Sequence, residues 1–403
     1  MSRLVRQAGS RVCRLGRARA TRYALTREIP GVGNHAPVYR VDESGRTHRL
    51  GVLHFLASGD RWLEREAGRG QLFGGLPPFA DDMKPQGFLG RGFPAAYPEL
   101  RLPARITDWD NEDYLIALAR RGEDCVGNLI LGEESVDRAL AARLRPRTRA
   151  EYPALAQGAL AGQPGSSAGG EHPKFAAFAG GRHLLVKFAS GDGSAADRWR
   201  DLLVCEHVAL EVLREAGIPA AESAWFDLAG DRFLEVERFD RVGGRGRRGV
   251  LSLASVNSHY LGYTPENWGK AARHVLDEPT VSLEDGHAER MVWLDTFGDL
   301  IANTDRHFGN VSFFAEEAER PALSLTPTYD MLPMAFAPKG ASLPAVTFAP
   351  HPPTATSLPV WGEAAEHALR YWDRLSGEDG ISPRFRRTCS DCREAVAKLV
   401  RGG

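Results

Sequence analysis

Asp305 and Asn310 stand with four residues between them in LIANTDRHFGNVSFF, and a second aspartate, Asp330, closes the segment LSLTPTYD. A carboxylate that accepts a hydroxyl proton, an amide oxygen that ligates Mg²⁺ and a second hard-oxygen ligand are what phosphoryl transfer requires. One turn of loop between Asp305 and Asn310 lets the first face an attacking hydroxyl while the second turns back toward a metal. Each residue alone reads equally well as a loop cap or a strand-end turn. Their order downstream of the features described next makes that reading improbable.

Gly165, Gly169 and Gly170, with Ser166 and Ser167, precede the strand-like KFAAF. Glycines let backbone amides approach an anion, and serines add hydroxyl donors, although a flexible linker has the same composition. KFAAFAGGRHLLVKFA then reads as a hairpin turning at Gly180 and Gly181. Alternation puts Leu184, Val186 and Phe188 on one face of the return strand and Lys187 on the other with Leu185. A lysine there can hold nucleotide phosphates. In DLLVCEHVALEVLREAG, Glu206 falls within the apolar stripe of Leu202, Cys205, Ala209, Val212 and Leu213. A carboxylate on a buried face needs a cation, and Lys187 is the natural candidate.

These side chains need elements to carry them. A helix over about 288–303 leads into the Asp305 loop, and a hairpin from VSFF to LSLTPTYD follows, the second strand ending at Asp330. RFLEVERFDR reads as a strand toward the helical half. Residues 35–150 open with two strands around an Asp/Ser/Gly turn, and DYLIALARRGEDCVGNLILG reads mostly as helix. Residues 1–28 carry eight arginines against Glu28. Their order suggests a recognition helix and a ribbon turning at Gly16, a remnant of a winged helix-turn-helix too small to fold alone, so that either it docks on its neighbour or the chain start is truncated. The expected organisation is a basic arm (1–30), an α+β subdomain (31–155), a lobe with the Gly-rich loop (156–245) and a helical lobe with the catalytic loop and metal site (246–403).

Lysine and arginine number 51 against 52 acids, so no whole-chain field favours nucleic acid or anionic membrane. Five scattered cysteines argue against a disulfide framework and for a cytoplasmic setting. The C-x-x-C of Cys389 and Cys392 has no second ligand pair nearby to complete a zinc site. No apolar run is long enough to span a bilayer, so no membrane partner is expected.

GEDCVGNL, GSSAGGEHPKF, LLVKF, LEVERFDR, ANTDRHFGNVSFF and LTPTYDMLP, in this order over residues 31 to 400, resemble the HipA-like toxin kinases, nearest to their YjjJ-type members. The resemblance implies an α+β, bilobal protein-kinase-like fold with an extra N-terminal subdomain and a mostly helical C-lobe. It implies ATP and Mg²⁺ as cofactors and serine or threonine on a protein as acceptor, aminoacyl-tRNA synthetases or other translation factors among the substrates. It makes Asp305 the base, Asn310 and Asp330 metal ligands, Lys187 the phosphate lysine partnered by Glu206, and Glu237 and Phe239 the adenine hinge. Asp240, His307 and the loop residues Ser166, Ser167, Ala168, Gly169 and Gly170 join the nucleotide site, with Ser166 open to autophosphorylation. An antitoxin partner is implied, whereas the helix-turn-helix prefix of YjjJ-type chains is here only a tail, so DNA contact through residues 1–28 is a weaker expectation that rests on their basic patch. The loop departs from the family's usual A-G-A-Q-E-K in reading AGGEHPK. Two other readings compete: a small-molecule or lipid kinase on a related fold, and a non-catalytic DNA-binding regulator with a kinase-like body.

Overall fold

The computed structural model describes residues 9–16, 21–65, 70–162, 172–264, 266–316, 318 and 320–402. The chain forms two compact units, one of residues 1–145, 240–251 and 316–319, the other of residues 146–239, 252–315 and 320–403.

In the first unit, β1 (Val12–Leu15) and β2 (Arg22–Leu25) form the expected ribbon. It does dock: Cys13 is buried against Leu56 and Trp62, and the Ala57 N–H donates to Leu25 O at 2.8 Å. Behind it β3 (His35–Val41), β4 (Thr47–Phe55), β5 (Arg61–Arg65), β6 (Gly70–Phe73) and β7 (Leu129–Leu131) form one antiparallel sheet in the order β6-β5-β4-β3-β7. Asp42 closes the β3–β4 turn by accepting from the backbone N–H groups of Ser44 and Arg46, each at 2.9 Å. The helix expected in DYLIALARRGEDCVGNLILG covers only Asn111–Arg121, which we call α1. Asp110 starts it with a capping box and Gly122 stops it. LIL becomes β7 instead, because three consecutive buried apolar residues suit a covered strand better than a helix with one wet face.

The second unit is built on an antiparallel sheet of β8 (Lys174–Ala179), β9 (Arg182–Ala189), β10 (Ser223–Leu228) and β11 (Asp231–Glu237), ordered β10-β11-β9-β8. Gly180 and Gly181, with φ of 58° and 77°, turn β8 into β9 in the type I′ sense that matches strand twist. One face of the sheet contributes Phe175, Leu184, Val186, Phe188 and Phe233 to an apolar core closed by Tyr152 and Ala156 of α2 (Tyr152–Ala161). Glu235 lies on that same face and is satisfied by Arg149 at 2.6 Å and the Tyr152 hydroxyl at 2.9 Å. The opposite face carries Lys187 and packs against α3 (Ser194–Glu215).

The helical part comprises α4 (Trp268–Asp277), α5 (His287–Leu300), α6 (Leu358–Gly377) and α7 (Pro383–Gly402). Trp372 of α6 is fully buried and donates its indole N–H to Leu300 O at 2.9 Å, tying α6 to the end of α5. Cys389 and Cys392 are buried in α7, where burial, and then Asp391, pushes the Cys392 thiol up to about 12. Among the described residues no three His, Cys, Asp or Glu side chains gather as a metal site. After α5 come β12 (Ser312–Phe314) and β13 (Ala322–Leu325), an antiparallel pair.

Candidate active site

Lys187 points from β9 toward α3, where Leu202, Cys205, Ala209, Val212 and Leu213 are all fully buried and Glu206 shares their stripe. The Lys187 ammonium donates to both Glu206 oxygens, at 2.8 and 2.7 Å, and to Asp330 Oδ1 at 2.6 Å. Lys187 and Glu206 are 4% and 0% exposed, so neither charge can be left alone. Burial opposes the lysine's charge, but Asp330 and then Glu206 more than offset it and raise its pKa. Burial, too, opposes ionisation of Asp330, yet Lys187 and then Lys174 hold that carboxyl well below the ordinary range. Glu206 is pushed up by burial in spite of Lys187.

The loop with Asp305 begins where α5 ends. Helix α5 stops at Leu300 rather than near Asn303, because Ala302 takes a left-handed φ of 59° and the Asn303 N–H reaches back to Gly298 O at 2.8 Å, a Schellman ending. Asn303 Oδ1 then accepts from the Asp305 N–H at 2.9 Å, leaving the Asp305 carboxylate 45% exposed. Arg306 turns the other way. Its guanidinium meets Asp295 at 3.1 Å and Asp299 at 3.3 Å and donates to Asn303 O, clamping the loop onto α5. Room for this clamp comes from Gly298, where a Cβ would stand 2.5 Å from Arg306 Cδ. His307 caps the short turn Phe308–Asn310 by accepting from the Gly309 N–H at 3.0 Å, and its own carbonyl accepts from Trp268 Nε1 at 3.1 Å.

Asn310 is buried, and its Nδ2 donates to Asp305 O at 2.9 Å. That bond fixes the amide so that Oδ1 is the atom left to ligate a cation. Strand β13 ends at Leu325, five residues short of Asp330, and not at Asp330 as the alternation suggested. Beyond Leu325, Thr326 still donates to Ser312 O of β12 at 3.0 Å, and Thr328 then forms an isolated bridge to another segment, its N–H donating to Pro219 O at 2.8 Å and its O accepting from the Ala221 N–H at 2.9 Å. Asp330 itself has a φ of 54°. Leaving the ladder is what allows that left-handed turn and aims the carboxylate at Lys187. Asn310 and Asp330 offer one amide oxygen and one carboxylate, the small hard-oxygen set that suits a Mg²⁺ whose remaining ligands are water and phosphate.

A HipA-like C-terminal domain matches residues 166–399, and a YjjJ-like toxin middle domain matches residues 32–140. Toxin YjjJ of Escherichia coli (strain K12) is 36% identical over 99% of this chain and 91% of its own length. The chain belongs to the HipA-like toxin family and is of the YjjJ type. The HipA chain of the Shewanella oneidensis MR-1 complex of HipA, HipB and operator DNA covers 91% of this chain and 96% of its own, with a TM-score of 0.53 at 15% identity. That is a likeness of fold, and it makes the architecture the mixed α+β one of HipA. The proinflammatory kinase CtkA of Helicobacter pylori aligns over 57% of this chain with a TM-score of 0.41 and 12% identity, too low to bear on the fold.

Within this HipA-like chain the remaining expected residues fall in three places. At the segment expected to form the adenine hinge, the Glu237 N–H donates to Glu222 O at 2.8 Å and its carboxylate faces Arg182 at 3.3 Å, while the Phe239 ring sits 5.5 Å from Tyr329. Asp240 belongs to the first unit: it is buried, pairs with Arg241 at 2.6 Å and accepts from the Gly127 N–H at 3.0 Å. Its carboxylate is thus engaged within that unit, through a partner distant in sequence that periodicity could not reveal. Ser166, Ser167, Ala168, Gly169 and Gly170 lie outside the described residues.

Four contributors escaped the sequence reading. Lys174 stands directly opposite Lys187 across the hairpin and acts on both Asp330 and Glu206; counting outward from the Gly180–Gly181 turn would have found it. His172 is 8% exposed, stacks edge-on with Trp199 at 4.1 Å and, among the described residues, has no hydrogen-bond partner on either ring nitrogen. Burial and then the Lys187 charge hold its pKa well below the usual value, so it is neutral. Arg306 and Tyr329 act through tertiary contacts that no local pattern announces.

Lys187→Met should destabilise the protein by about 3–5 kcal/mol in urea unfolding, because Glu206 is left buried without a cation. Adding Glu206→Gln should restore much of that loss; an additive loss would show the pair is not coupled. Gly298→Ala would stabilise an ordinary exposed helix by about 1 kcal/mol. Here it should lower the melting temperature and speed amide exchange at Asn303 and Asp305, by displacing Arg306.

Proposed function

We propose that the chain is an ATP-dependent, Mg²⁺-requiring protein serine/threonine kinase of the HipA toxin type. The observation that carries this reading is the buried contact of Lys187 with both Glu206 and Asp330, together with an Asn310 amide turned to present its oxygen. Lys187, backed by Lys174, holds the nucleotide's phosphates. The hinge backbone at Glu237 and Phe239 receives the adenine edge. Asn310 and Asp330 hold Mg²⁺, which when bound neutralises charge on the phosphates. The exposed Asp305 carboxylate takes the proton from the acceptor hydroxyl as that oxygen bonds to the γ-phosphorus and the bond to the β,γ-bridging oxygen breaks, leaving ADP. His307 orients the loop, its Nε2 lying 3.8 Å from Asp305 Oδ1.

The acceptor in this reading is a protein hydroxyl, for which an aminoacyl-tRNA synthetase or another translation factor is the substrate class to try first. Ser166 is proposed as an internal acceptor whose phosphate, with about −1.5 to −2 charge, repels the nucleotide. An antitoxin that restrains the enzyme belongs to the same reading. A second reading, DNA contact by the ribbon, is favoured by the exposed Arg11, Arg14 and Arg22. Replacing all three with Ala should then abolish a salt-sensitive shift of duplex DNA; no shift by the unmodified protein ends that reading.

Asp305→Asn should leave ATP affinity in calorimetry nearly unchanged and lower phosphate transfer from γ-labelled ATP by roughly two to four orders of magnitude. Asp330→Ala should remove the metal-dependent part of ATP binding. Mass spectrometry after incubation with Mg²⁺-ATP should find phosphate on the Ser166 peptide, absent in Asp305→Asn. Failure of the unmodified protein to bind ATP below the millimolar range overturns the kinase reading, and label appearing only in small molecules moves the acceptor class away from proteins.

A further inference from the structure

Tyr329 touches the catalytic loop, the hinge and the Asp330 segment together. Its hydroxyl lies 2.8 Å from Gly309 O and 2.7 Å from Ser312 Oγ. A phenol has one proton and a carbonyl only accepts, so Tyr329 donates to Gly309 and Ser312 donates to Tyr329. Gly309 immediately precedes Asn310, and Ser312 follows it by two residues. The phenol oxygen therefore grips the loop on both sides of one proposed metal ligand, while the Tyr329 main chain leads directly into the other. The ring is held 5.5 Å from Phe239, which also meets Phe314 edge-on at 5.9 Å.

Asp330 needs such a hold. Its segment leaves β13 at Leu325, and its φ of 54° lies in the left-handed region, where a side chain persists only when its surroundings over-determine it. Lys187 grips the end of its side chain, but no regular hydrogen-bond ladder fixes its backbone. Mg²⁺ demands near-ideal octahedral geometry at about 2.0–2.1 Å, so tenths of an ångström between the two ligand-bearing segments decide how well it binds.

We propose that Tyr329 is a positioning residue that sets the spacing of Asn310 and Asp330, so that its hydroxyl governs metal affinity and not nucleotide affinity. The hydroxyl touches no reacting atom; it acts through the two segments it joins. The inference rests on the kinase reading of this site. Ser312 belongs to the same device, one bond further out.

The test uses the full chain with ADP as the nucleotide probe and Mn²⁺, followed by electron paramagnetic resonance, as the metal probe. Tyr329→Phe keeps the ring on Phe239 and removes both hydrogen bonds. It should weaken Mn²⁺ binding to the ADP-saturated protein by about 10- to 100-fold, the usual cost of losing an outer-shell partner, with ADP affinity in EDTA within about twofold of the parent. Ser312→Ala should shift the Mn²⁺ midpoint in the same direction by less. Equal loss of metal-free and metal-dependent binding, or a lower melting temperature with unchanged Mn²⁺ affinity, overturns the proposal. If the parent protein binds ADP in neither condition, the kinase reading itself is what fails.

Discussion

A lysine buried between two carboxylates decides how the second unit can be organised. Lys187 and Glu206 satisfy each other on opposite elements, a strand and a helix, so β9 and α3 cannot slide past one another without exposing a charge to an apolar interior. The third member, Asp330, comes from a segment outside the regular ladder of the β12–β13 pair. One ammonium against two carboxylates is a negative excess, and Lys174, opposite Lys187 on β8, balances it. A neutral quartet of this kind offers a polyphosphate little net attraction, which supports the proposal that a divalent ion enters with the nucleotide.

The remainder of the unit keeps α3 and the loop still enough for that pairing. Arg198 of α3 lies over the Phe385 ring at 3.9 Å, and Asp201 accepts from both the backbone N–H and the hydroxyl of Ser382, each at 2.7 Å. These contacts lock α3 to the start of α7 one and two turns ahead of Glu206. On the far side of the sheet Glu235, a second carboxylate on an otherwise apolar face, is neutralised by Arg149 and Tyr152. The same rule operates on both faces of one sheet: a buried acid is tolerated where a cation is delivered by the neighbouring element.

That rule also explains what could be read from sequence. Glu206 stands inside an apolar stripe, which is a local anomaly, and its need for a cation points to Lys187 from the sequence alone. The Gly180–Gly181 hairpin and the Asp305 to Asn310 spacing were legible for the same reason, being short-range. Helix and strand ends are not, since α5 ends by the left-handed turn at Ala302, and beyond β13 the chain leaves β12 after Thr326 and bonds through Thr328 to Pro219 and Ala221. The fate of Asp240 depends on Gly127, 113 residues away, and nothing in RFDR foretells it. Tyr329 reads as one more strand residue, because its hydroxyl partners, Gly309 in the turn before Asn310 and Ser312 at the start of β12, are joined to it by no local alternation pattern.

The two left-handed non-glycine residues that flank this machinery, Ala302 and Asp330, bear on why the site is stable at all. Ala302 ends the helix that delivers Asp305, and Asp330 delivers its own carboxylate. Each is a position where glycine would relax the backbone, yet glycine at 302 would free the loop's entry and glycine at 330 would remove the carboxylate that meets Lys187. Asp tolerates the left-handed region better than most side chains, so Asp330 meets the chemical and conformational demands together. Ala302 has no such excuse. It is 4% exposed and its carbonyl accepts from the Ala335 N–H at 3.1 Å, so packing and one bond to the chain beyond Asp330 hold the strain in place. The backbone strain at the entrance of the Asp305 loop is thereby held by the segment that follows Asp330, the proposed metal ligand, and the two halves of the candidate site are conformationally dependent on each other.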